Sequence, residues 1–363
     1  MLTEPRLDSL RARLSDAGVD AIALTHPPNL RYVTGFLGVV DEEPAHVAVV
    51  TADDAVFVTD SRYITAARAA AEGTPWRVEL TTSSASGTAC EVLQNAGVKR
   101  LALETTLAHG RFLAFAKKFG GDVIEADGWV EELRTVKGRD EIAQIEAAQV
   151  ITDRAFTHLL DNVLRAGVSE RDVALALEFF MREQGSEGIA FAPIIASGPN
   201  SALPHATPSE RVLTTGDFVV LDFGARVGGY CSDMTRTVVV GSASDEQRKV
   251  YDTVLSANLA GIAGARAGLT GAQIDAAARA VIVERGYGER FGHGLGHGVG
   301  LEVHELPGVG SRSDKVVPAG SVITVEPGIY IPGMGGVRIE DLAVVEEGGI
   351  SVLARSSKDL LEI

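Results

Sequence analysis

Four acids stand inside two stretches that otherwise read as β-strand. In FVVLDFGARVGGYCSDMTRTVVV, Asp222 and Asp233 flank Arg226–Gly229, where Gly228 and Gly229 supply turn conformations. A turn centred between Val227 and Gly228 would set the two aspartates directly opposite each other on one face, with Cβ atoms ~4.5–5.5 Å apart. In SVITVEPGIYIPGMGGVRIEDLAVV the chain turns through Pro332–Gly336, and Glu326 and Glu340 are each seven positions from Gly333. They too would face each other. Like charges so placed repel, and the neighbouring Leu221, Phe223 and Met234 would raise the cost by excluding water. Three arrangements relieve it: a solvated face, a proton shared between carboxyls, or bound cations. Four carboxylates balance two divalent ions, and this reading accounts for both pairs at once.

A third stretch, FGHGLGHGVGLEVHELPG, places three of the chain's eight histidines, His293, His297 and His304, within twelve positions. Glycine at 292, 294, 296, 298 and 300 excludes a stable helix, so His293 and His297 are not a helical i, i+4 pair. Extended chain would carry His293, Leu295, His297, Val299 and Leu301 along one side, with glycine on the other where a second backbone can approach. Glu305 follows His304, but position 308 is Gly, so the H-E-x-x-H pattern of single-zinc peptidases is absent. His205, in SGPNSALPHATPS, reads as a loop residue beside Pro204.

These stretches need a scaffold of strands and helices. At 363 residues the chain is too long for one ordinary domain and suits two. Hydrophobic residues make up 45% and charged residues 23%, enough to bury a core without staples. Leu7, Leu10 and Leu14 recur at helical spacing within 5–17. DAIALT, HVAVVT, AVFVTD and RLALE read as short buried strands, with helical segments at 62–72 and 110–119, an α/β unit of the first ~120–130 residues. Asp127–Trp129 reads as a connector. Helices are predicted from Asp140, over 169–184, 245–266 and 271–286, and strands over IAFAPIIAS, both hairpins and ISVLA. Two helices and a carboxylate hairpin thus occur in 140–240 and again in 245–346.

Acidic side chains number 49 against 33 basic ones, a formal charge of −16, which argues against a nucleic-acid or anionic-membrane surface. No stretch approaches the ~18 consecutive apolar residues of a membrane span, and the start carries no signal-peptide run. Two cysteines, Cys90 and Cys231, make no disulfide framework, so a cytoplasmic location is expected.

In order and spacing, VLDFGA, YCSDMTRT, HGLGHGVGLEVHE, VEPGIY and VRIED resemble the pita-bread metallopeptidases, the family of methionine aminopeptidase, aminopeptidase P and Xaa-Pro dipeptidase (prolidase). PPNLRYVTGF and VTDSRY resemble the creatinase-type N-terminal domain, and LRTVKGRDEIAQIEAA the usual start of the catalytic domain. The likeness covers nearly the whole chain. It implies an α/β (α+β) fold with a creatinase-type domain over 1–130 and a pita-bread catalytic domain with pseudo-twofold halves over 131–363. Methionine aminopeptidase lacks the N-terminal domain, and creatinase lacks the metal ligands.

Carried over residue by residue, the resemblance implies that Asp222 chelates one metal, Asp233 and Glu340 bridge two, and His297 and Glu326 complete the second. The implied cofactors are two divalent metal ions, Mn²⁺ first, with Co²⁺, Zn²⁺ or Fe²⁺ as alternatives. Glu326 is also the candidate proton carrier. His205 and His304 match the two histidines that hydrogen-bond the scissile amide or tetrahedral intermediate, and His293 and Arg338 occupy further site positions. Arg338, on the strand face of Glu340, could pair with Asp233 or another ligand carboxylate; Tyr230 could act through its hydroxyl. The implied reaction is hydrolysis of small Xaa-Pro peptides, as a dipeptidase or, alternatively, as an aminopeptidase P. Many prolidases carry Arg just after H-E-x-P, where this chain has Gly308, with Arg312 four residues on. A non-catalytic scaffold and a two-metal phosphoesterase are remoter alternatives. The family also implies a homodimer, in which Asp41, Glu42 and Glu43 could hold a substrate's α-ammonium in the partner's site or simply form a solvated acidic loop.

Overall fold

A computed structural model describes residues 3–38 and 45–363. Asp41, Glu42 and Glu43 lie outside the described residues. The chain divides into two compact units, Met1–Arg134 and Thr135–Ile363.

The first unit is a six-stranded mixed sheet. Its strands are β1 (Ala21–Leu24), β2 (Val47–Thr51), β3 (Ala55–Thr59), β4 (Arg77–Leu80), β5 (Arg100–Glu104) and β6 (Asp122–Ala126), in the order β4-β3-β2-β1-β5-β6. Around it run α1 (Thr3–Ala17), α2 (Pro27–Thr34), α3 (Ile64–Ala71), α4 (Ala85–Asn95), α5 (His109–Phe119) and α6 (Trp129–Arg134). Alternate residues of the central strands (Ala21, Ala23, Val47, Val49, Leu101, Leu103) pack against Ala89 and Leu93 of α4 and Phe115 and Phe119 of α5. Trp129 opens a helix, where the sequence reads as a connector.

The second unit holds two helix pairs, each on its own sheet. α7 (Arg139–Asn162) and α8 (Glu170–Glu183) cover β7 (Ile194–Ser197), β8 (Phe218–Phe223), β11 (Met234–Val239) and β19 (Leu361–Glu362), in the order β19-β11-β8-β7. The short pair β9 (Arg226–Val227) and β10 (Tyr230–Cys231) caps the β8–β11 hairpin. IAFAPIIAS forms strand only from Ile194, after Pro193. α9 (Asp245–Gly264) and α10 (Gly271–Glu284) cover the second sheet. It comprises β12 (Gly296–Gly298), β13 (Glu305–Val309), β14 (Val322–Val325), β17 (Asp341–Glu346) and β18 (Gly349–Val352), in the order β13-β12-β14-β17-β18. β15 (Gly328–Ile331) and β16 (Gly335–Arg338) form a hairpin between β14 and β17. Capping boxes Ser244–Gln247 and Thr270–Gln273 start α9 and α10, satisfying amides that helix starts leave free. Residues such as Leu159, Leu177 and Phe223 fill the first core, and Val254, Ile282 and Ile323 the second.

The first hairpin pairs Asp222 with Thr235, Arg226 with Cys231 and Val227 with Tyr230. The expected direct opposition of Asp222 and Asp233 is therefore wrong by two positions. The turn is centred between Gly228 and Gly229, whose φ of 57° and 81° is what a two-residue type I′ turn demands. Because the side-chain period is two, the shift keeps Asp233 on the face of Asp222, as a diagonal neighbour. The second hairpin keeps its expected register: Val325 pairs with Asp341 and Gly328 with Arg338, so both ladders run on to Glu326 opposite Glu340.

Candidate metal centre

The faces of the two hairpins that turn away from the helices meet in a cavity of about 270 Å³. Asp222, Asp233, His297, Glu326 and Glu340 all line it. Asp233, His297 and Glu340 each offer one ligand atom, and these atoms lie within 4.8 Å of one another. Glu326 stands beside them, with Oε1 3.3 Å from His297 Nε2. Asp222 is held differently: Arg338 Nη2 donates to its Oδ2. Arg338 thus takes Asp222, on the neighbouring strand pair, rather than Asp233.

His297 enters the cavity from β12. Its neighbours Gly296 and Gly298 are there because a Cβ would lie 2.1 Å from Thr324 O at the first and 2.2 Å from Leu306 O at the second. His297 Nδ1 sits 3.1 Å from the Gly298 carbonyl, which can only accept, so Nδ1 carries a proton and Nε2 is the nitrogen aimed at the acids. The expected alternation fails before this strand. His293 lines the cavity, but Leu295 enters the core beneath α9 and α10. At Gly294 a Cβ would lie 3.0 Å from Val309 O, so the chain passes close to β13 there.

Behind the acids lies a chain of bonds. His293 Nδ1 donates to Gly294 O at 2.8 Å, so its Nε2 accepts from the Tyr330 hydroxyl at 3.0 Å. That hydroxyl accepts from Arg338 Nη1 at 2.8 Å. Arg338 Nε donates to Thr235 Oγ1, which donates to Glu340 Oε2 at 2.6 Å. Thr324 Oγ1 accepts from His297 N and donates to Glu326 Oε1 at 3.3 Å. Tyr330, Thr235 and Thr324 were not singled out from sequence. Each stands two or four residues along the chain from Asp233 or Glu326, so period-two spacing would have found them. Tyr230, by contrast, spends its hydroxyl on Glu141 of α7 at 2.7 Å and is not part of the cavity wall.

At the rim, His205 and His304 line the cavity with Phe191, Ile194 and Val303. The His304 ring lies 4.3 Å from that of His297. Arg312 is exposed and does not line the cavity.

Burial, with repulsion from Glu340, Asp222 and Glu326, pushes the Asp233 carboxyl well above the carboxylate range. Burial and the charges of Glu326 and Asp222 do the same to Glu340. Burial raises Asp222, with the Arg338 charge opposing. Burial works against the charge of Glu326, but the hydrogen bond and charge of His297 outweigh it and bring the carboxyl down to about 2. Burial would also lower His297, but Glu326 overrides it and raises the imidazole to about 9. Burial and then the His297 charge lower His304.

This donor set fits a divalent cation. Asp222 Oδ1 is buried with no hydrogen-bond partner, an arrangement that costs ~1–3 kcal/mol or more unless something binds it. The Gly298 carbonyl fixes the tautomer that leaves His297 Nε2 free to coordinate. Oxygen donors with one imidazole suit Mn²⁺ and its neighbours.

The comparisons with known proteins agree. The model of metallopeptidase family M24 matches residues 143–347, and that of the creatinase/prolidase N-terminal domain matches residues 6–136. The uncharacterized peptidase YqhT of Bacillus subtilis is 40% identical over 98% of this chain and 99% of its own length. The Xaa-Pro dipeptidase of Pyrococcus furiosus is 36% identical over 98% and 99%. Among solved structures, an Xaa-Pro dipeptidase from Bacillus anthracis superposes with a TM-score of 0.95 at 42% identity, covering 99% of this chain and 100% of that one. An X-Pro aminopeptidase from Thermotoga maritima gives 0.89 at 36% identity, covering 98% and 99%. The pita-bread architecture with a creatinase-type N-terminal domain is thereby established, and with it a family that works through divalent metal ions. This chain belongs to metallopeptidase family M24.

Proposed function

We propose that the protein hydrolyses the Xaa-Pro bond of small peptides, acting as an Xaa-Pro dipeptidase with two divalent ions, Mn²⁺ foremost. The observation that carries this is one cavity lined by four carboxylates, His297, Arg338 and three further histidines, in a chain similar over nearly its full length to an Xaa-Pro dipeptidase. Asp222, Asp233, His297, Glu326 and Glu340 would hold the ions, with the creatinase-type domain over 1–130 and the catalytic domain over 131–363. Ions there supply Lewis acidity and lower the pKa of a water. Glu326 would take a proton from the attacking water and return it to the leaving nitrogen. His304, neutral because its pKa is lowered, and His205 hydrogen-bond the scissile amide from the rim. His293 and Tyr330 hold Arg338, which holds Asp222. Phe191, Ile194 and Val303 offer an apolar wall to a ring that brings no N–H to be satisfied.

His304→Ala is expected to lower kcat by about 10²-fold or more, the scale of one lost donor at a developing charge, with bound metal near wild type by elemental analysis. Loss of metal instead would move His304 into the ligand set.

One observation favours the aminopeptidase P alternative. Arg338 is the one arginine or lysine on the cavity wall among the described residues, and Asp222 occupies it. A dipeptide's terminal carboxylate would then find no free arginine, since position 308 is Gly and Arg312 is exposed. Comparing kcat/KM for an Xaa-Pro dipeptide and an Xaa-Pro-Yaa tripeptide with Mn²⁺ decides between them. The dipeptidase reading expects the dipeptide to be preferred by at least about tenfold, the equivalent of ~1.4 kcal/mol.

Two further readings go with the proposal. Both cysteines are free and buried, as suits a reducing cytoplasm. No helix among the described residues is long and apolar enough to cross a membrane. A homodimer is proposed by analogy with the family, to be checked by light scattering.

A further inference from the structure

Glu170, the first residue of α8, is fully buried, and among the described residues no cation pairs with it. A buried carboxylate of this kind persists only where donors replace water. Its Oε1 accepts from Ser197 N at 2.7 Å, Ser197 Oγ at 2.7 Å and Asn200 Nδ2 at 3.1 Å. Its Oε2 accepts from Ser209 N at 3.0 Å and Ser209 Oγ at 2.6 Å. The two backbone amides, of Ser197 and Ser209, flank segment 198–208, so one side chain closes the neck of that segment. The N-terminal position on α8 adds the favourable end of the helix dipole.

The segment carries Pro204 and His205 to the cavity, which Glu170 itself does not line. Farther along, it is tied to the second half of the unit: Ser201 Oγ accepts from Gly336 N at 2.8 Å, and Pro204 O accepts from Arg338 Nη1 at 3.2 Å. The tip is thus referenced to the acids through Arg338, and the neck to α8 through Glu170. We infer that Glu170 is a positioning residue that sets where His205 stands over the scissile bond. This rests on the peptidase reading above for its catalytic consequence, though not for its structural one.

The test is a double-mutant cycle in the full-length, Mn²⁺-loaded enzyme. Glu170→Gln keeps the size of the side chain but turns an N–H₂ toward donors. It is expected to lower kcat by between about tenfold and about 100-fold, the cost of a misplaced site group, with bound Mn²⁺ unchanged. On a His205→Ala background the same substitution is expected to cost less than about twofold, because residues acting through one another are not additive. Glu170→Asp should restore part of the loss. Equal losses on both backgrounds, or wild-type kcat, would overturn the assignment. Hydrogen exchange supplies a readout without turnover. Segment 198–208 should exchange faster in Glu170→Gln while β8 and β11 stay protected; uniform loss of protection would mean a merely stabilising role. If the wild type cleaves no Xaa-Pro peptide, the peptidase reading fails while the exchange result still decides the anchoring. Should Glu170→Gln not fold, Ser209→Ala, which removes one donor at the neck, is expected to move exchange and kcat in the same direction, and no change in either would overturn it.

Discussion

Asp233→Asn is expected to abolish metal-dependent hydrolysis and yet leave the metal-free fold at least as stable as the wild type. Asp233 offers one of three donor atoms that lie within 4.8 Å of one another, beside His297 and Glu340. Removing its charge should cost more than about 100-fold in activity, the upper end of what is lost when only an outer partner of a ligand is removed. Elemental analysis should find metal reduced with it. The stability expectation has the opposite sign from most core substitutions. Burial and three neighbouring carboxylates push Asp233 well above its ordinary pKa, so in metal-free protein at neutral pH its charge opposes folding. Asparagine has the same shape without that charge. In melting experiments with chelator, the variant should melt at or above the wild type. With Mn²⁺ present the order should reverse, because only the wild type gains from binding, by ~2.7 kcal/mol at a metal concentration 100-fold over Kd. Wild-type turnover in the variant would eliminate the ligand assignment.

Metal binding should release protons and strengthen steeply with pH. In metal-free protein His297 holds a proton up to about 9, and Asp233 and Glu340 are raised well above the carboxylate range. A cation must displace whatever protons remain, so the apparent association constant should rise about tenfold per pH unit for each proton released. Titration calorimetry in buffers of different ionisation enthalpy counts them, and a pH-independent affinity between pH 6 and 8 would contradict the picture. The stability of the metal-free chain carries matching signs. The His297 contribution is complete below its unfolded pKa of ~6.5 and fades as pH rises through about 9. That of Glu326 is present above ~4.5 and lost as pH falls through about 2. The raised carboxyls of Asp222, Asp233 and Glu340 make the metal-free fold lose stability as pH rises out of the ordinary carboxylate range. Chelated protein should therefore melt higher at mildly acidic than at neutral pH.

Helices with a long apolar stripe, such as α7 and α9, were legible from periodicity, as were the strands buried on both faces. Elements without such a stripe were not. β4 and β6 lie at the two edges of their sheet and are largely half-buried or exposed, so neither presents an apolar run. α2 begins with Pro27–Pro28, which reads as loop until proline is recognised as suited to a helix's first turn. The second hairpin's register followed from counting to Gly333. The first failed because its turn was centred one residue early; centring it on the Gly228–Gly229 pair, the sequence signal of a type I′ turn, gives the observed register.

Residue order alone was enough to mark the four acids, because charge placed in strand-forming sequence is costly, and His293, His297 and His304, because they crowd into glycine-rich chain; His205 was marked only through the family resemblance. Residue order could not say that Arg338 would take Asp222, that Tyr330 would stand between His293 and Arg338, or that Tyr230 would turn away to Glu141. Those choices depend on contacts between residues 37 to 116 positions apart or on paired strands. Folding selects them by satisfying every buried donor and acceptor at once, a condition that no local pattern contains.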